Sequence, residues 1–143
     1  MNFELSEEQK MIQQNVERFV QDNYDLPKRV ELSSQDPGYS KDYWNSMAEL
    51  GWLGLPFNEE DGGFGGNQID TLVIMEQFGK GLVLEPFLAN VVLGGGAIQM
   101  GGSEELKNEM LSSLIEGSKQ LTLAYAEQQS RFDLEDVATS ARQ

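Results

Sequence analysis

The chain has 143 residues, of which 24 are acidic and 10 are basic, and its formal net charge is −14. This length suits one domain with a sizeable core, and the negative charge argues against nucleic-acid binding. The absence of cysteine and histidine excludes disulfides, thiolate nucleophiles and histidine-based catalysis. No apolar run approaches the roughly 18 residues of a membrane span, and the N-terminus is acidic, so we expect a cytoplasmic protein.

Helix signals dominate the first part of the chain. Ser6-Glu-Glu-Gln9 is a capping box and predicts a helix over residues 6–23. Pro27 opens a shorter helix to about residue 32. Ser40 caps a third helix, for which we predict a buried stripe of Tyr43, Trp44, Met47 and Leu50.

A glycine-rich stretch joins this helix to the next. Residues 51–66 contain six glycines, and most of the remaining residues are apolar. The composition predicts a connection packed under neighbouring helices rather than an idle surface loop. A phosphate-binding loop is excluded, because Glu59, Glu60 and Asp61 would repel a phosphate and the stretch has no lysine.

The second half continues with helix signals. Asn67 begins a helix that closes at glycines 79–81, and Ser103 caps the last helix, which ends before Gly117. Between them, Pro86 opens a helix that is apolar on almost every side, which predicts burial. Its Gly94-Gly95-Gly96 run indicates a close neighbour, a kink or a ligand against the backbone.

Asn90 is polar within this most apolar helix. Its amide either satisfies a local backbone group or faces a ligand cavity. Among the carboxylates, Glu49, Glu76 and Glu85 are the ones embedded in apolar stretches, where burial raises a pKa. None of the three is distinguished by a catalytic pattern.

The pattern changes after residue 118. Residues 120–126 alternate between polar and apolar side chains, which predicts a strand. A single strand is not stable without partners, so we expect the chain to stop just inside a second domain. The predicted architecture is all-α: a helical-bundle domain over residues 1–118, followed by the truncated start of a β domain over residues 119–143.

Several linked motifs carry a resemblance to a known family. Leu5-Ser-Glu-Glu-Gln9, Leu50-Gly-Trp-Leu-Gly-Leu-Pro56, Glu59-Glu-Asp-Gly-Gly-Phe-Gly65 and Gly102-Ser-Glu-Glu-Leu106 resemble acyl-CoA dehydrogenases in the same order and at similar spacing. Glu85-Pro-Phe-Leu88 followed by Val92-Leu-Gly-Gly-Gly96 is similar to the small-subunit branch typified by pimeloyl-CoA dehydrogenase.

The resemblance implies an N-terminal helical domain, a middle β-barrel domain and a C-terminal four-helix domain, with FAD and an acyl-CoA thioester between them. In such enzymes a glutamate of the C-terminal domain removes the α-proton while a β-hydride passes to the flavin. This chain contains no C-terminal domain, so we expect it to be inactive alone and not to bind FAD alone. The implied partners are an electron acceptor such as an electron-transfer flavoprotein and further copies or other dehydrogenase subunits.

The resemblance also places the sites. The family's flavin-contacting strand and loop correspond to residues 123–133, with Leu123, Tyr125, Ala126 and Phe132 as the cofactor-binding candidates. Ala126 replaces the threonine whose hydroxyl contacts the flavin, while Glu127 and Asp133 match the motif. The acyl pocket is expected on one face of the helix that starts at Pro86, and that face comprises Pro86, Ala89, Asn90 and Leu93.

The departures from the flavin motif leave a second hypothesis. The chain is then a non-catalytic partner subunit, paired with a dehydrogenase chain that supplies an intact flavin loop, or a helical interaction module that uses the same fold.

Overall fold

The computed structural model describes residues 4–131 and 133–141, and within these ranges the regular secondary structure is entirely helical. This confirms the all-α fold class. In chain order the elements are α1 (Glu7–Asn23), α2 (Leu26–Ser33), α3 (Lys41–Glu49), a 3₁₀ turn (Glu59–Asp61), α4 (Gln68–Gly81), a π-helix (Leu88–Gly95), α5 (Gly96–Gly101) and α6 (Glu104–Ile115). None of these helices is both long and apolar enough to cross a membrane.

The predicted helix starts are confirmed by side-chain caps. The hydroxyl Oγ of Ser6 accepts the Gln9 N–H at 3.1 Å, and Gln9 Oε1 accepts the Ser6 N–H at 3.0 Å, which completes the capping box. Ser40 and Ser103 cap α3 and α6 in the same way through their hydroxyl groups. These short polar side chains satisfy N–H groups that the first turn of a helix leaves without a partner.

Helices α1 and α4 pack along each other in the same direction. Asn67 and Asp70 form a second capping box at the start of α4, and Asp70 Oδ1 also accepts the Gln9 amide Nε2–H at 2.9 Å. The two boxes are therefore hydrogen-bonded to each other in a buried position. At the other end Gly81 lies against Val20, so that α1 and α4 are aligned at both ends.

Aromatic rings form the centre of the core. Trp52 contacts Phe19 and Phe78, with ring centroids 5.2 Å and 5.9 Å apart, and Phe78 meets Phe87 edge-to-face at 5.4 Å. These rings connect α1, the glycine-rich stretch, α4 and the start of the π-helix. Aromatic pairs in these geometries add about 0.5–1.5 kcal/mol each beyond the burial of their surface.

The glycine-rich stretch is a packed connection, as predicted. Its residues Trp52, Leu53 and Phe57 are buried in the core. Residues 54–57 and 64–66 are joined by backbone hydrogen bonds, including Gly65 N–H to Phe57 O at 2.7 Å. A Cβ at Gly63 would lie 2.3 Å from the Phe57 carbonyl oxygen, so this close approach requires glycine.

The strand predicted over residues 120–126 does not form, and that prediction is wrong for this chain. These residues are irregular, and most of their side chains are exposed. Alternation describes a strand only when neighbouring strands accept its backbone hydrogen bonds, and the described residues offer none.

Two predicted buried faces also differ from the structure. In α3, Trp44 and Met47 are buried and Tyr43 is half-buried, but Leu50, directly after the helix, is 53% exposed. The helix after Pro86 is not buried all round, since Leu88 is 50% exposed. Apolar periodicity predicts which face of a helix is apolar. It does not show whether another element of the described residues packs against that face.

Candidate functional site

The apolar helix after Pro86 is wound as a π-helix from Leu88 to Gly95 and continues as α5. Wider π turns are rare and occur frequently at functional sites. The three consecutive glycines have different surroundings. A Cβ at Gly94 would lie 2.9 Å from Leu121 Cβ, and a Cβ at Gly95 would lie 2.4 Å from Phe57 Cζ, whereas a Cβ at Gly96 meets nothing within 4 Å. The glycine run thus admits two close neighbours.

Asn90 lies at the point where the π-helix meets the segment after α6. Its side chain is 1% exposed, and its Oδ1 accepts the Leu121 N–H at 2.8 Å. Its Nδ2 is buried without a hydrogen-bond partner among the described residues. The amide oxygen thus accepts from a backbone group, but from one that lies 31 residues away and not from a local one.

This contact holds Leu121 beside the predicted acyl face. Leu121 is contacted by Asn90 and Gly94, and it precedes the first residue of the predicted cofactor segment, Leu123, by two positions. Asn90 and Leu121 are 31 positions apart in the sequence. The sequence marked Asn90 as a polar residue in an apolar helix, but it did not indicate which group Asn90 contacts.

The remaining residues of the predicted acyl face have mixed surroundings. Pro86 is half-buried, Ala89 is exposed, and Leu93 is 36% exposed. These three residues are mainly apolar and partly open to solvent, and of the predicted face Asn90 is the member in recorded contact with Leu121.

The predicted cofactor residues lie on an open surface. Leu123 and Tyr125 are 41% and 58% exposed, and Ala126 is exposed as well. The Leu123 carbonyl accepts the Tyr125 N–H at 3.0 Å, which gives a tight local turn instead of an extended strand. Phe132 lies outside the described residues.

Glu127 organises the following turn. Its carboxylate accepts the N–H groups of Ala138 and Thr139 at 2.8 Å and 3.0 Å. Hydrogen bonding, with Thr139 the largest contribution and Gln129 the next, lowers the pKa of Glu127 to about 2. The sequence marked Glu127 as a motif match but did not predict this role, because its main partners are backbone groups 11 and 12 residues away.

A cavity of about 710 Å³ lies on another side of the same helix, between α4, α5 and residues 56–67. Its walls are mainly apolar and include Leu72, Met75, Leu88 and Val92, while neutral polar side chains such as Thr71 and Gln99 complete the lining. The predicted acyl-face residues do not line it. The sequence predicted burial for the helix after Pro86, which includes Leu88 and Val92, so the cavity beside these residues was missed.

Glu85 is a buried carboxyl group that precedes the π-helix, with 6% of its surface exposed. Its oxygens accept the Ser40 N–H at 3.1 Å and the Tyr24 hydroxyl. Burial raises the pKa of Glu85, although hydrogen bonds from backbone N–H groups oppose this effect. Of the three carboxylates in apolar stretches, Glu49 and Glu76 are exposed. Glu85 joins the end of α1, the start of α3 and the entry to the π-helix, so its position is structural.

The described residues do not by themselves fit a complete FAD. The segment from Leu123 to Ala126 supplies backbone groups and one phenol, but its side chains project into solvent and it forms no cradle around a ring system. Ala126 has no hydroxyl to donate. Further protein surface is required before the segment from Leu123 to Ala126 can enclose a flavin.

The chain matches the family described as acyl-CoA dehydrogenase, N-terminal domain, over residues 6–118. A probable acyl-CoA dehydrogenase, YngJ, of Bacillus subtilis is 32% identical over 143 residues, which is 99% of this chain and 37% of the relative. The chain therefore spans little more than a third of that relative's length.

Solved structures give the same result. The ChsE4–ChsE5 complex from Mycobacterium tuberculosis contains a chain that superposes with a TM-score of 0.79 at 25% identity, covering 85% of this chain and 34% of that one. An acyl-CoA dehydrogenase from Bacillus anthracis, complexed with FAD, superposes with a TM-score of 0.72 at 30% identity, covering 82% and 20%. By its fold and by the match over most of its length, this chain belongs to the acyl-CoA dehydrogenase family and contains the family's N-terminal domain.

Proposed function

We propose that this chain is the N-terminal part of an FAD-dependent acyl-CoA dehydrogenase that desaturates an acyl-CoA thioester between its α and β carbons. When bound, the flavin supplies the hydride acceptor for this chemistry. The role of the chain is to provide a helical wall beside the acyl group and to hold the segment from which the flavin site begins.

One observation carries the proposal. Asn90, on the predicted acyl face, holds Leu121, which leads into the predicted flavin segment, at 2.8 Å. Desaturation requires the acyl chain and the flavin to lie side by side in a fixed orientation. The observation that supports the proposal is that Leu121, two residues before the segment assigned to the flavin, is held against the helix assigned to the acyl group.

Residues 119–143 are proposed to begin the family's middle domain, and residues 1–118 to form the helical domain. The buried carboxyl group next to the acyl face, Glu85, is engaged by Tyr24 and Ser40, and the described residues form no flavin cradle, so we expect neither FAD binding nor turnover by the chain alone. Acyl-CoA turnover by the purified 143-residue chain in the presence of FAD and an electron acceptor would contradict this expectation.

The second candidate is a partner subunit that relies on another dehydrogenase chain for its flavin loop. Two observations favour it: Ala126 replaces the hydroxyl-bearing residue of the motif, and one similar structure is a complex of two different chains, ChsE4 and ChsE5. In either case the proposed partners are a dehydrogenase subunit, identical or different, and an electron acceptor such as an electron-transfer flavoprotein. The proposed location is the cytoplasm.

Titration of the protein at its natural length with FAD separates the two candidates. A stoichiometric yellow complex supports the enzyme. A folded protein that stays colourless with FAD alone, and acquires flavin only with a second dehydrogenase chain, supports the partner subunit. A folded protein that acquires no flavin in either form contradicts both and leaves a helical interaction module.

The acyl face is tested by filling it. In the protein at its natural length, Ala89→Leu adds bulk to the exposed strip, and we expect kcat/KM for the longest accepted acyl-CoA to fall about tenfold or more, while that for the shortest changes little. Gly96→Leu is the matched control, because it adds the same side chain to the cavity on another side of the helix. If Gly96→Leu shortens the accepted chain and Ala89→Leu does not, the cavity holds the acyl group instead.

A further inference from the structure

We propose that Asn90 and Gly94 form a lock that positions the segment after α6, and that Asn90 is kept for this purpose rather than for packing the helical core. The lock consists of the hydrogen bond from Leu121 N–H to Asn90 Oδ1 and the close contact of Gly94 with Leu121. It fixes the point from which residues 122–126 leave the helical domain.

The unpartnered amide nitrogen of Asn90 argues against a role in core packing. Its π-helix neighbour Val91 is fully buried, and Asn90 itself is 1% exposed. Its Nδ2 has no hydrogen-bond partner among the described residues, and a buried donor without a partner destabilises the fold. An apolar residue of similar branched shape would avoid this cost, so the benefit of asparagine lies in its acceptor, Oδ1.

The orientation of the amide follows from its partner. A backbone N–H needs an acceptor, and the carbonyl oxygen is the acceptor of an asparagine side chain, so Oδ1 must face Leu121. When Asn90 accepts the Leu121 N–H through Oδ1, its Nδ2 therefore points away from Leu121, where it has no hydrogen-bond partner among the described residues.

Gly94 completes the lock one turn further along. A Cβ there would lie 2.9 Å from the Leu121 Cβ and 3.0 Å from its carbonyl carbon. Because backbone atoms are involved, a rotamer change cannot relieve the contact. Without glycine the segment has to move away from the helix, which lengthens the hydrogen bond to Asn90.

The consequence for the flavin rests on the proposed function. A displaced Leu121 moves residues 123–126, from which the cofactor site is proposed to begin. Asn90 and Gly94 would then act on the flavin indirectly, as positioning residues that need not touch it.

Hydrogen exchange tests the lock independently of the flavin. In the protein at its natural length, purified without FAD, Asn90→Leu is expected to speed exchange of the Leu121 amide by about tenfold or more without lowering the melting temperature. Gln77→Leu is the matched control. Gln77 is 2% exposed and its Nε2 also lacks a partner, but it lies on α4 and not on the π-helix. Gln77→Leu should leave the exchange rate of the Leu121 amide unchanged.

A second pair of variants keeps the test decisive if Asn90→Leu does not fold. Gly94→Ala should release Leu121 while Asn90 stays intact, and Gly96→Ala should not, since a Cβ at Gly96 has open space. In the flavin-loaded protein, the two releasing variants should retain less FAD after gel filtration than their controls.

The outcomes are distinguishable. Unchanged Leu121 exchange in folded Asn90→Leu or Gly94→Ala overturns the lock. Faster exchange that accompanies an equal loss of global stability also overturns it, because core packing alone then explains the result. If Leu121 responds as expected but the wild-type protein binds no FAD, the lock stands and the proposed function fails.

Discussion

Glu85 shows how a single buried carboxyl group connects three parts of the helical domain. It accepts hydrogen bonds from the Tyr24 hydroxyl and the Ser40 N–H, and it precedes the π-helix. Because burial destabilises its ionised form, its pKa in the folded chain lies above the ordinary value of 4.5. The folded state therefore binds this proton more tightly than the unfolded state.

The pH dependence follows from this difference. The stabilisation by protonated Glu85 is complete below pH 4.5 and is lost as the pH rises through its raised folded pKa. Glu85→Gln cannot ionise, so its free energy of unfolding relative to wild type should increase over this window and then level off. Urea denaturation from pH 4 to 8 measures the difference. The exposed Glu49→Gln is the control, and parallel curves for wild type and Glu85→Gln would contradict the prediction.

Single-residue signals were predictable where the chemistry is local. Ser6, Ser40 and Ser103 cap helices as expected, because a cap requires only its own first turn. The hydrogen bond between Gln9 and Asp70 and the lock at Asn90 were not predictable, since each joins residues brought together by the whole fold.

At the scale of elements, the π-helix is the feature that departs most from a regular bundle. Gly94 contacts the segment after α6, Gly95 contacts Phe57, and Gly96 faces open space. A side chain is therefore excluded by close neighbours at Gly94 and Gly95 but has free space at Gly96. A glycine in open helical surroundings costs about 1 kcal/mol relative to alanine, whereas one in tight contact cannot be replaced without displacing its neighbour.

Two neighbouring substitutions should therefore change stability in opposite directions. Gly95→Ala should lower the free energy of unfolding by about 1–3 kcal/mol, because its Cβ would lie 2.4 Å from Phe57 Cζ. Gly96→Ala should raise it by up to about 1 kcal/mol through helix propensity. Chemical denaturation followed by circular dichroism measures both. Equal effects of the two substitutions would show that the contact with Phe57 does not constrain this helix.

The sequence indicated that the glycine run is unusual but not how the helix is wound. Residues 88–95 are apolar or glycine except for Asn90, so no alternation of polar and apolar faces distinguishes an α-helix from a π-helix here. The strand over residues 120–126 was wrong for a different reason. Its alternation is a property of the side chains, whereas strand formation depends on partners that the described residues do not provide.

On the scale of the whole molecule, a packed helical part is followed by a largely exposed segment. The helices end at Ile115, and most side chains of the described residues 122–131 and 133–141 are exposed. Hydrogen bonds to Glu127 hold a local turn in this segment, and the lock at Leu121 ties its beginning to the helices. The segment after Leu121 is therefore attached to the helical core at its beginning but does not pack into it.

Limited proteolysis tests the proposed domain division. In the 143-residue chain, trypsin should cut first after the exposed Arg131, and sites within residues 4–117 should be cut much more slowly. In the protein at its natural length the Arg131 site should be protected, because the proposal places it in a folded middle domain. Mass spectrometry identifies the fragments. Equally fast cleavage after Arg131 in both proteins would contradict the division.

Both tryptophans of the chain lie in the helical core, with Trp44 3% and Trp52 6% exposed, and the Trp44 indole donates to the Gly117 carbonyl at 3.1 Å. Intrinsic fluorescence of the folded chain should therefore be blue-shifted relative to exposed indole. The emission should shift to the red when the helices unfold and should change little when the segment after Leu121 detaches. Flavin absorbance would report on that segment at other wavelengths, so unfolding of the core and loss of cofactor are optically separable in one sample.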